Sequence, residues 1–168
     1  GAMSQAPMNS GGPNKVHTNT SWAGAVAAMH NHPDNTPISA GDVYAAVTLN
    51  TNSSSFTTSF VLTNGTVYAV VVTNLTAAQA FAQKFPVDNR PGYNPEFPDA
   101  IFDQLQDLVP SMGSTIDGRT NAMAHVLGKE NSGITLMRQD ASGEFKPINI
   151  ESATGPDGSQ SYSAVPCK

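Results

Sequence analysis

The 168-residue chain has few charged side chains and a single cysteine. Asp, Glu, Lys and Arg make up 12% of it, against about 25% in an average soluble domain. Asn, Thr, Ser and Gln must therefore supply most of the polar surface, and we expect an extracytoplasmic or secreted protein. The net charge of −5 argues against a nucleic-acid partner, because phosphate recognition needs clustered Lys and Arg.

Cysteine chemistry is largely excluded. The one cysteine, Cys167, allows neither an internal disulfide nor a zinc site built from cysteines. It also stands beside the C-terminus without a neighbouring His and Asp, so a role as nucleophile is improbable. No apolar run approaches the roughly 20 residues that a membrane span requires. The chemistry left to the chain is that of histidine, carboxylate and hydroxyl groups.

The N-terminal residues differ in composition from the remainder. Gly1-Ala2-Met3 has the form of a cloning remnant, and residues 4–14 are polar and loop-like. We expect residues 1–14 to be a tag remnant and linker, and residues 15–168 to be one domain with its own core. The polar start also leads us to expect that the domain is the C-terminal part of a longer protein.

Turn residues divide the chain into short elements. Residues 25–29 are small and apolar and fit a strand, although so short a run also fits a helix capped by Thr20 or Ser21. Asn64-Gly65 between two β-rich arms predicts a hairpin. Antiparallel hairpins with separate helices predict an α+β fold. Four helices are also predicted, at 38–50, 76–85, 98–108 and 117–127. Thr76 is the expected N-cap of the helix at 76–85, and Gly128 is expected to end the helix at 117–127. A second hairpin is predicted to turn at 141–143, followed by an irregular tail from Glu151.

Two of the four histidines, His30 and His32, flank one residue at the end of the first predicted strand. Side chains two apart on an extended segment point to the same side, so both imidazoles can meet at one point. Ser39 is a credible N-cap of the following helix, and Asp42 stands at its N3 position, from which it can reach the same point. Two nitrogens and one carboxylate oxygen suit Zn²⁺ and leave a fourth position for water. The pattern therefore predicts a zinc site of the catalytic kind.

The run His30-Asn31-His32-Pro33, followed by Ser39-x-x-Asp42, resembles the signature of the JAMM (JAB/MPN) metalloproteases. It is closest to bacterial RadC-like and toxin-associated JAB domains. The resemblance implies that His30, His32 and Asp42 bind zinc. It also implies that Ser39 donates a hydrogen bond to the oxyanion of a tetrahedral intermediate. The expected reaction is hydrolysis of a peptide or isopeptide bond in a peptide or protein substrate.

The resemblance covers residues 16 to about 73, in the order histidine loop, helix and hairpin. It implies a cytidine-deaminase-like, JAB-type mixed β-sheet with flanking helices. On this interpretation residues 15–74 form the metal-site core. Residues 75–168 form a C-terminal helical and β-hairpin extension without a family assignment.

Two features depart from the family pattern. Six residues separate His32 from Ser39, where the pattern has seven. The family's general base is a glutamate upstream of the histidines, yet the sequence has no acid before Asp34 and no glutamate before Glu96. Three explanations stay open: the glutamate lies upstream of the first residue, Glu96 or Asp34 replaces it, or the domain is an inactive JAB-like binding module.

Each of these residues also has an ordinary structural explanation. His30 and His32 could be surface residues of a loop, and Ser39 with Asp42 could be a helix cap alone. Both interpretations of the cap can hold together, because capping geometry would aim Asp42 at a metal. His17 is a weaker candidate ligand or proton relay. The remaining candidates are Trp22 and Tyr44, which could line a cleft but more often belong to a core, and His125, which fits a packing or surface role.

Overall fold

A computed structural model of the chain describes residues 2–12, 16–19 and 22–165. The predicted cap at Thr20 or Ser21, and Cys167, lie outside these ranges. Within them, helices and strands occur partly in separate runs, with three successive helices followed by four strands, which confirms the α+β class. The strands of the described residues are β1 (Ala27–Asn31), β2 (Thr58–Thr63), β3 (Thr66–Val72), β4 (Ile134–Gln139), β5 (Phe145–Pro147), β6 (Asn149–Thr154) and β7 (Gln160–Val165). The helices are α1 (Ala40–Asn52), α2 (Leu75–Lys84), α3 (Asp99–Met112) and α4 (Ile116–Lys129).

Five strands form a mixed sheet in the spatial order β1-β2-β3-β4-β5. β1 and β2 are parallel and are joined through α1, whereas the other neighbouring strands are antiparallel. β6 and β7 form a separate two-stranded sheet. β1 is therefore an edge strand, and its C-terminal end lies beside the start of α1 because a parallel connection must return along the sheet.

The hairpin between β2 and β3 confirms the prediction made from Asn64-Gly65. Both turn residues have a positive φ, 48° for Asn64 and 75° for Gly65. A two-residue turn of this kind matches the right-handed twist of its flanking strands, and Asn and Gly are the residues that tolerate it. The turn fixes the register in which Leu62 faces Val67 across the hairpin.

The core lies between one face of the large sheet and the helices. α1 contributes Val43 and Val47, which pack with Val61 and Val70 of the central strands. Val43, Val61 and Val70 are fully buried, and each such side chain contributes roughly 1.5–3 kcal/mol to stability. This packing holds α1 in a fixed position on the sheet. It therefore also fixes the first turn of α1, where Asp42 lies.

The four helices are found where they were predicted, but their boundaries differ. α2 is capped by Asn74, whose side chain accepts a hydrogen bond from the Ala77 amide at 3.1 Å, and not by Thr76. Asn is as good an N-cap as Thr, so residue type alone did not separate two caps so close together. α3 continues beyond residue 108 with Pro110 inside its last turns, and α4 passes through Gly128 to Lys129.

The prediction of an irregular tail is wrong, because residues 149–165 form the β6–β7 hairpin. Most of its side chains are exposed, so it lacks the apolar alternation from which strands are recognised. Tyr162 anchors it by contacting His125 of α4 edge to face, with ring centroids 5.0 Å apart. In the described part of the chain, every helix is too short or too polar to cross a membrane.

Candidate metal centre

The two histidines occupy the end of β1. His30 is its fourth residue and pairs with Val61 of β2, which is fully buried. His32 follows β1 directly, and its amide donates to the Leu62 carbonyl at 2.8 Å, so the ladder continues one residue beyond the strand. The extended backbone thus puts both imidazoles on one side of the sheet, facing α1.

Three side chains converge at this point. The Nε2 atom of His30 lies 2.8 Å from Asp42 Oδ1 and 3.2 Å from His32 Nε2, and His32 Nε2 lies 3.4 Å from Asp42 Oδ2. Around a tetrahedral zinc ion with bonds of about 2.0–2.1 Å, the donor atoms are about 3.3 Å apart. The arrangement therefore fits a tetrahedral ion held by three protein ligands, with one position free.

Asp42 is aimed by a capping box. Its Oδ2 atom accepts hydrogen bonds from the Ser39 amide at 2.7 Å and the Ser39 hydroxyl at 2.8 Å. The Ser39 hydroxyl in turn accepts from the Asp42 amide at 3.3 Å. Ser39 is therefore the N-cap of α1, with Asp42 at N3, as the sequence predicted. Oδ2 thus accepts from Ser39 and also lies nearest His32, whereas Oδ1 lies against His30 and receives no hydrogen bond from Ser39, so Oδ1 is the oxygen better placed to act as a monodentate ligand.

His32 is oriented by the loop that follows it. Its Nδ1 atom lies 3.1 Å from the Thr36 carbonyl oxygen and 3.1 Å from the Thr36 hydroxyl. The carbonyl can only accept, so the proton is assigned to Nδ1 and the lone pair to Nε2. The Thr63 hydroxyl donates to the same carbonyl at 2.8 Å. A histidine whose other nitrogen binds a carbonyl is the usual outer support of a metal ligand.

Hydrogen bonding shifts the pKa values of Asp42 and His32. Burial by itself raises the pKa of Asp42, but hydrogen bonds from His30, His32 and the Ser39 amide outweigh it and hold that pKa below its ordinary value. The hydrogen bond to Asp42 raises the pKa of His32 above 6.5, against the opposing effect of burial. Protons and a cation therefore compete for His32 near neutral pH.

Among the described residues, only His30, His32 and Asp42 bring their ligand atoms close enough together to hold a metal ion. His17 is exposed and is not a member of it. Asp34 and Glu96, the predicted substitutes for the missing base, are likewise exposed and outside the group.

The loop that carries Glu96 nevertheless borders the start of α1. A Cβ atom placed on Gly41 would lie 3.7 Å from Pro95 Cγ. Glu96 thus belongs to a segment that passes over the first turn of the helix carrying Asp42. The Ser39 side of this turn is open to solvent, so a substrate can approach Ser39.

Of the two candidate cleft residues, Tyr44 lies in the core and Trp22 does not. Tyr44 is buried, and its hydroxyl donates to the Phe85 carbonyl, so it is a core residue. Trp22 is 39% exposed. Thr36 and Thr63 are the site residues that sequence reasoning missed, because a backbone carbonyl and a threonine 27 positions away become partners only in the folded chain.

Comparison with known proteins finds no matching family model, no matching curated protein and no matching solved structure.

Proposed function

We propose that the protein is a JAMM-like zinc metallopeptidase domain that hydrolyses a peptide or isopeptide bond. The single observation that carries the proposal is the convergence of His30, His32 and Asp42, with 2.8–3.4 Å between their nearest ligand atoms. The signature order and the mixed sheet with its helix crossover and hairpin support a JAB-type arrangement.

Three of the site residues would bind the metal, and Ser39 would contact the substrate. His30 Nε2, His32 Nε2 and Asp42 Oδ1 would hold the ion and leave one position open for water. Bound zinc supplies a Lewis acid and lowers the pKa of its water to about 7. Ser39 would turn its hydroxyl hydrogen from Asp42 to the oxyanion of the substrate. Asp42 would stay in place during this change, because the Ser39 amide continues to donate to Oδ2 at 2.7 Å.

The proton-transfer step needs a base from outside the ligand group. Such a base typically contributes about 10² to 10⁴ in rate. Glu96 and Asp34 are the two candidate acids, the first on the loop against Gly41 and the second on the loop after His32. The substitutions Glu96→Gln and Asp34→Asn test them. Loss of turnover with unchanged zinc affinity in one of them identifies the base.

One observation favours a second function, that of a non-catalytic JAB-like module that binds a protein partner. Among the described residues, Asp42 is the only acid in the group with His30 and His32. It would be used as a metal ligand, so the group holds no second acid that could act as the base. A module of this kind would bind zinc and hydrolyse no peptide. Both substitutions described above would then leave the protein unchanged.

Metal content tests the proposal directly. The wild-type protein should bind one equivalent of zinc, measured by titration calorimetry and elemental analysis. The double variant His30→Ala/His32→Ala should lose it, and His125→Ala, which removes a histidine outside the site, should keep it. Peptide-library hydrolysis should cease with chelator and in Asp42→Ala. Cleavage that persists under both conditions rules out the zinc mechanism.

A further inference from the structure

The free edge of β1 is the margin of the large sheet that faces away from β2. The His32 amide donates to the Leu62 carbonyl of β2 at 2.8 Å. Since the backbone groups of successive strand residues point to alternate sides, those of His30 also face β2, whereas those of Met29 and Asn31 face the free edge. Among the described residues, none hydrogen-bonds to the Met29 or Asn31 backbone on that side. The free edge therefore presents a row of available donors and acceptors.

The two margins of the sheet differ in their protection against further strands. β5, at the opposite margin, has three residues and contains Lys146 and Pro147. A charged side chain or a proline on a margin discourages the addition of another strand. β1 has five residues without lysine, proline or an acid, and its Met29 is 67% exposed. β1 is therefore the margin suited to strand addition.

The free edge adjoins the metal centre. His30 belongs to β1, and its ring lies on the sheet face that α1 covers, 2.8 Å from Asp42 Oδ1. α1 packs on β2 and β3, so Asp42 approaches the histidines from that side, and the free edge lies on the other side of β1. In an added strand, the Cβ atom of the residue opposite His30 would lie about 4.5–5.5 Å from the His30 Cβ atom. A strand bound at the free edge would thus run beside a ligand residue.

We propose that the free edge of β1 binds the substrate as an added β-strand, so that the substrate is an extended, unfolded segment of a peptide or protein. The inference rests on the proposed function and adds the conformation that the substrate must have. Backbone hydrogen bonds to Met29 and Asn31 would hold the segment, and a carbonyl beside His30 would be the one presented to the metal. A helical segment is disfavoured, because its backbone groups are already bonded to one another.

A peptide hydroxamate tests the assignment, because a hydroxamate binds zinc and its peptide then lies along the adjacent surface. The two probes are acetohydroxamate and N-acetyl-tetraalanine hydroxamate, whose small side chains leave the backbone as the main source of added affinity. With zinc-loaded protein, calorimetry should give about tenfold tighter binding of the tetraalanine compound. This is the gain expected from one or two backbone hydrogen bonds.

An N-methyl scan of the tetraalanine compound distinguishes strand pairing from other contacts. Four derivatives each carry one methyl group on one alanine nitrogen. In an added strand alternate amides face β1, so methylation should remove the gain at alternate positions and leave it at the positions between them. This alternation is expected for either direction of the added strand. The scan uses the wild-type protein, so it decides the question even if a β1 variant fails to fold.

A substitution in β1 tests the edge itself. Met29→Pro removes an amide that faces the free edge, and an edge strand tolerates proline there because no hydrogen bond to β2 is lost. The variant should bind zinc and acetohydroxamate as the wild type does, and it should lose the preference for the tetraalanine compound. Met29→Thr is the matched control, because it removes the apolar side chain and keeps the amide. It should keep the preference.

The outcomes separate this inference from the function on which it rests. If zinc-loaded wild-type protein binds both hydroxamates equally well, or if the N-methyl scan shows no alternation, strand addition is overturned and the metal centre stands. Wild-type dimers, detected by sedimentation, that Met29→Pro dissociates and the tetraalanine compound does not would assign the edge to a second copy and overturn the proposal as well. Failure to bind zinc overturns the proposed function first, and the zinc titration shows this before any hydroxamate is added.

Discussion

His32 and Thr63 donate hydrogen bonds to one acceptor, the carbonyl oxygen of Thr36, at 3.1 Å and 2.8 Å. Thr63 is 2% exposed and stands at the end of β2, whereas His32 follows β1. The shared carbonyl therefore connects the hairpin to the ring orientation of a ligand histidine. Outer groups of this kind commonly change metal affinity by about 10- to 100-fold.

Replacing Thr63 tests this connection. We expect Thr63→Val to weaken zinc binding about tenfold, because the Thr36 carbonyl loses the hydrogen bond that fixes it. The free energy of unfolding of the metal-free protein should fall by about 1 kcal/mol. Calorimetric zinc titration and urea unfolding measure the two effects. Thr66→Val is the control, since Thr66 faces Thr63 across the hairpin. An equal loss of affinity in both variants would contradict the role given to Thr63.

Removing the Ser39 side chain should affect both the helix and the metal centre. We expect Ser39→Ala to lower the free energy of unfolding by about 1 kcal/mol, the usual cost of a lost N-cap. Zinc affinity should fall as well, because Asp42 Oδ2 loses the hydroxyl that helps to orient the carboxylate. Asn74→Ala removes the corresponding cap of α2, far along the chain from the site. It should cost similar stability and leave zinc affinity unchanged. Urea unfolding and zinc titration of both variants decide this.

Zinc affinity should rise with pH through the neutral range. The hydrogen bond to Asp42 raises the pKa of His32 in the metal-free protein, and the protonated ring must release its proton when a metal binds. Calorimetry in buffers of different ionisation enthalpy measures the number of protons released. The release should decrease as pH rises through the raised pKa of His32. A constant affinity between pH 6 and 8 would argue against His32 as a ligand.

The contribution of His32 and Asp42 to the free energy of unfolding of the metal-free protein should be greatest at mildly acidic pH. The raised pKa of His32 gives a contribution that is complete below 6.5 and is lost as pH rises through the folded-state value. The lowered pKa of Asp42 gives a contribution that is present above 3.8 and is lost as pH falls. Urea midpoints measured with chelator present should follow this course. His32→Ala should remove the decline that begins above pH 6.5.

Tyr44 predicts loss of stability at high pH. Burial raises the pKa of its phenol to about 12 in the folded protein, against about 10 in an unfolded chain. The neutral phenol therefore stabilises the fold below pH 10, and this contribution is lost as pH rises from about 10 to 12. Far-ultraviolet circular dichroism and tyrosinate absorbance should change together. Tyr44→Phe should flatten the dependence, whereas Tyr93→Phe, at a residue 76% exposed, should leave it unaltered.

Local patterns predicted the part of the fold that carries the site. The strand before His30, the cap formed by Ser39 and Asp42, and the Asn64-Gly65 turn all depend on neighbours within a few residues. Such features are encoded locally, and the packing of the domain does not override them. This explains why the convergence of His30, His32 and Asp42 could be predicted from the sequence.

Features that depend on contacts between distant parts of the chain could not be predicted from local sequence patterns. The β6–β7 hairpin is largely polar, and its anchor, Tyr162, finds His125 only after α4 is in place. The contact of Thr63 with Thr36 likewise arises from the parallel pairing of β1 with β2. Sequence patterning of one element carries no information about a partner chosen by topology.

The position of β1 at the margin of the sheet has a consequence for dynamics. A marginal strand is held by one ladder of hydrogen bonds, and such segments open locally at a lower free energy than the interior of a domain. A cation shared by His30, His32 and Asp42 would tie this strand to the first turn of α1. Metal binding would then slow hydrogen exchange of the β1 amides much more than that of the amides of the central strand β3. The ion would stabilise this part of the fold locally in addition to its chemical role.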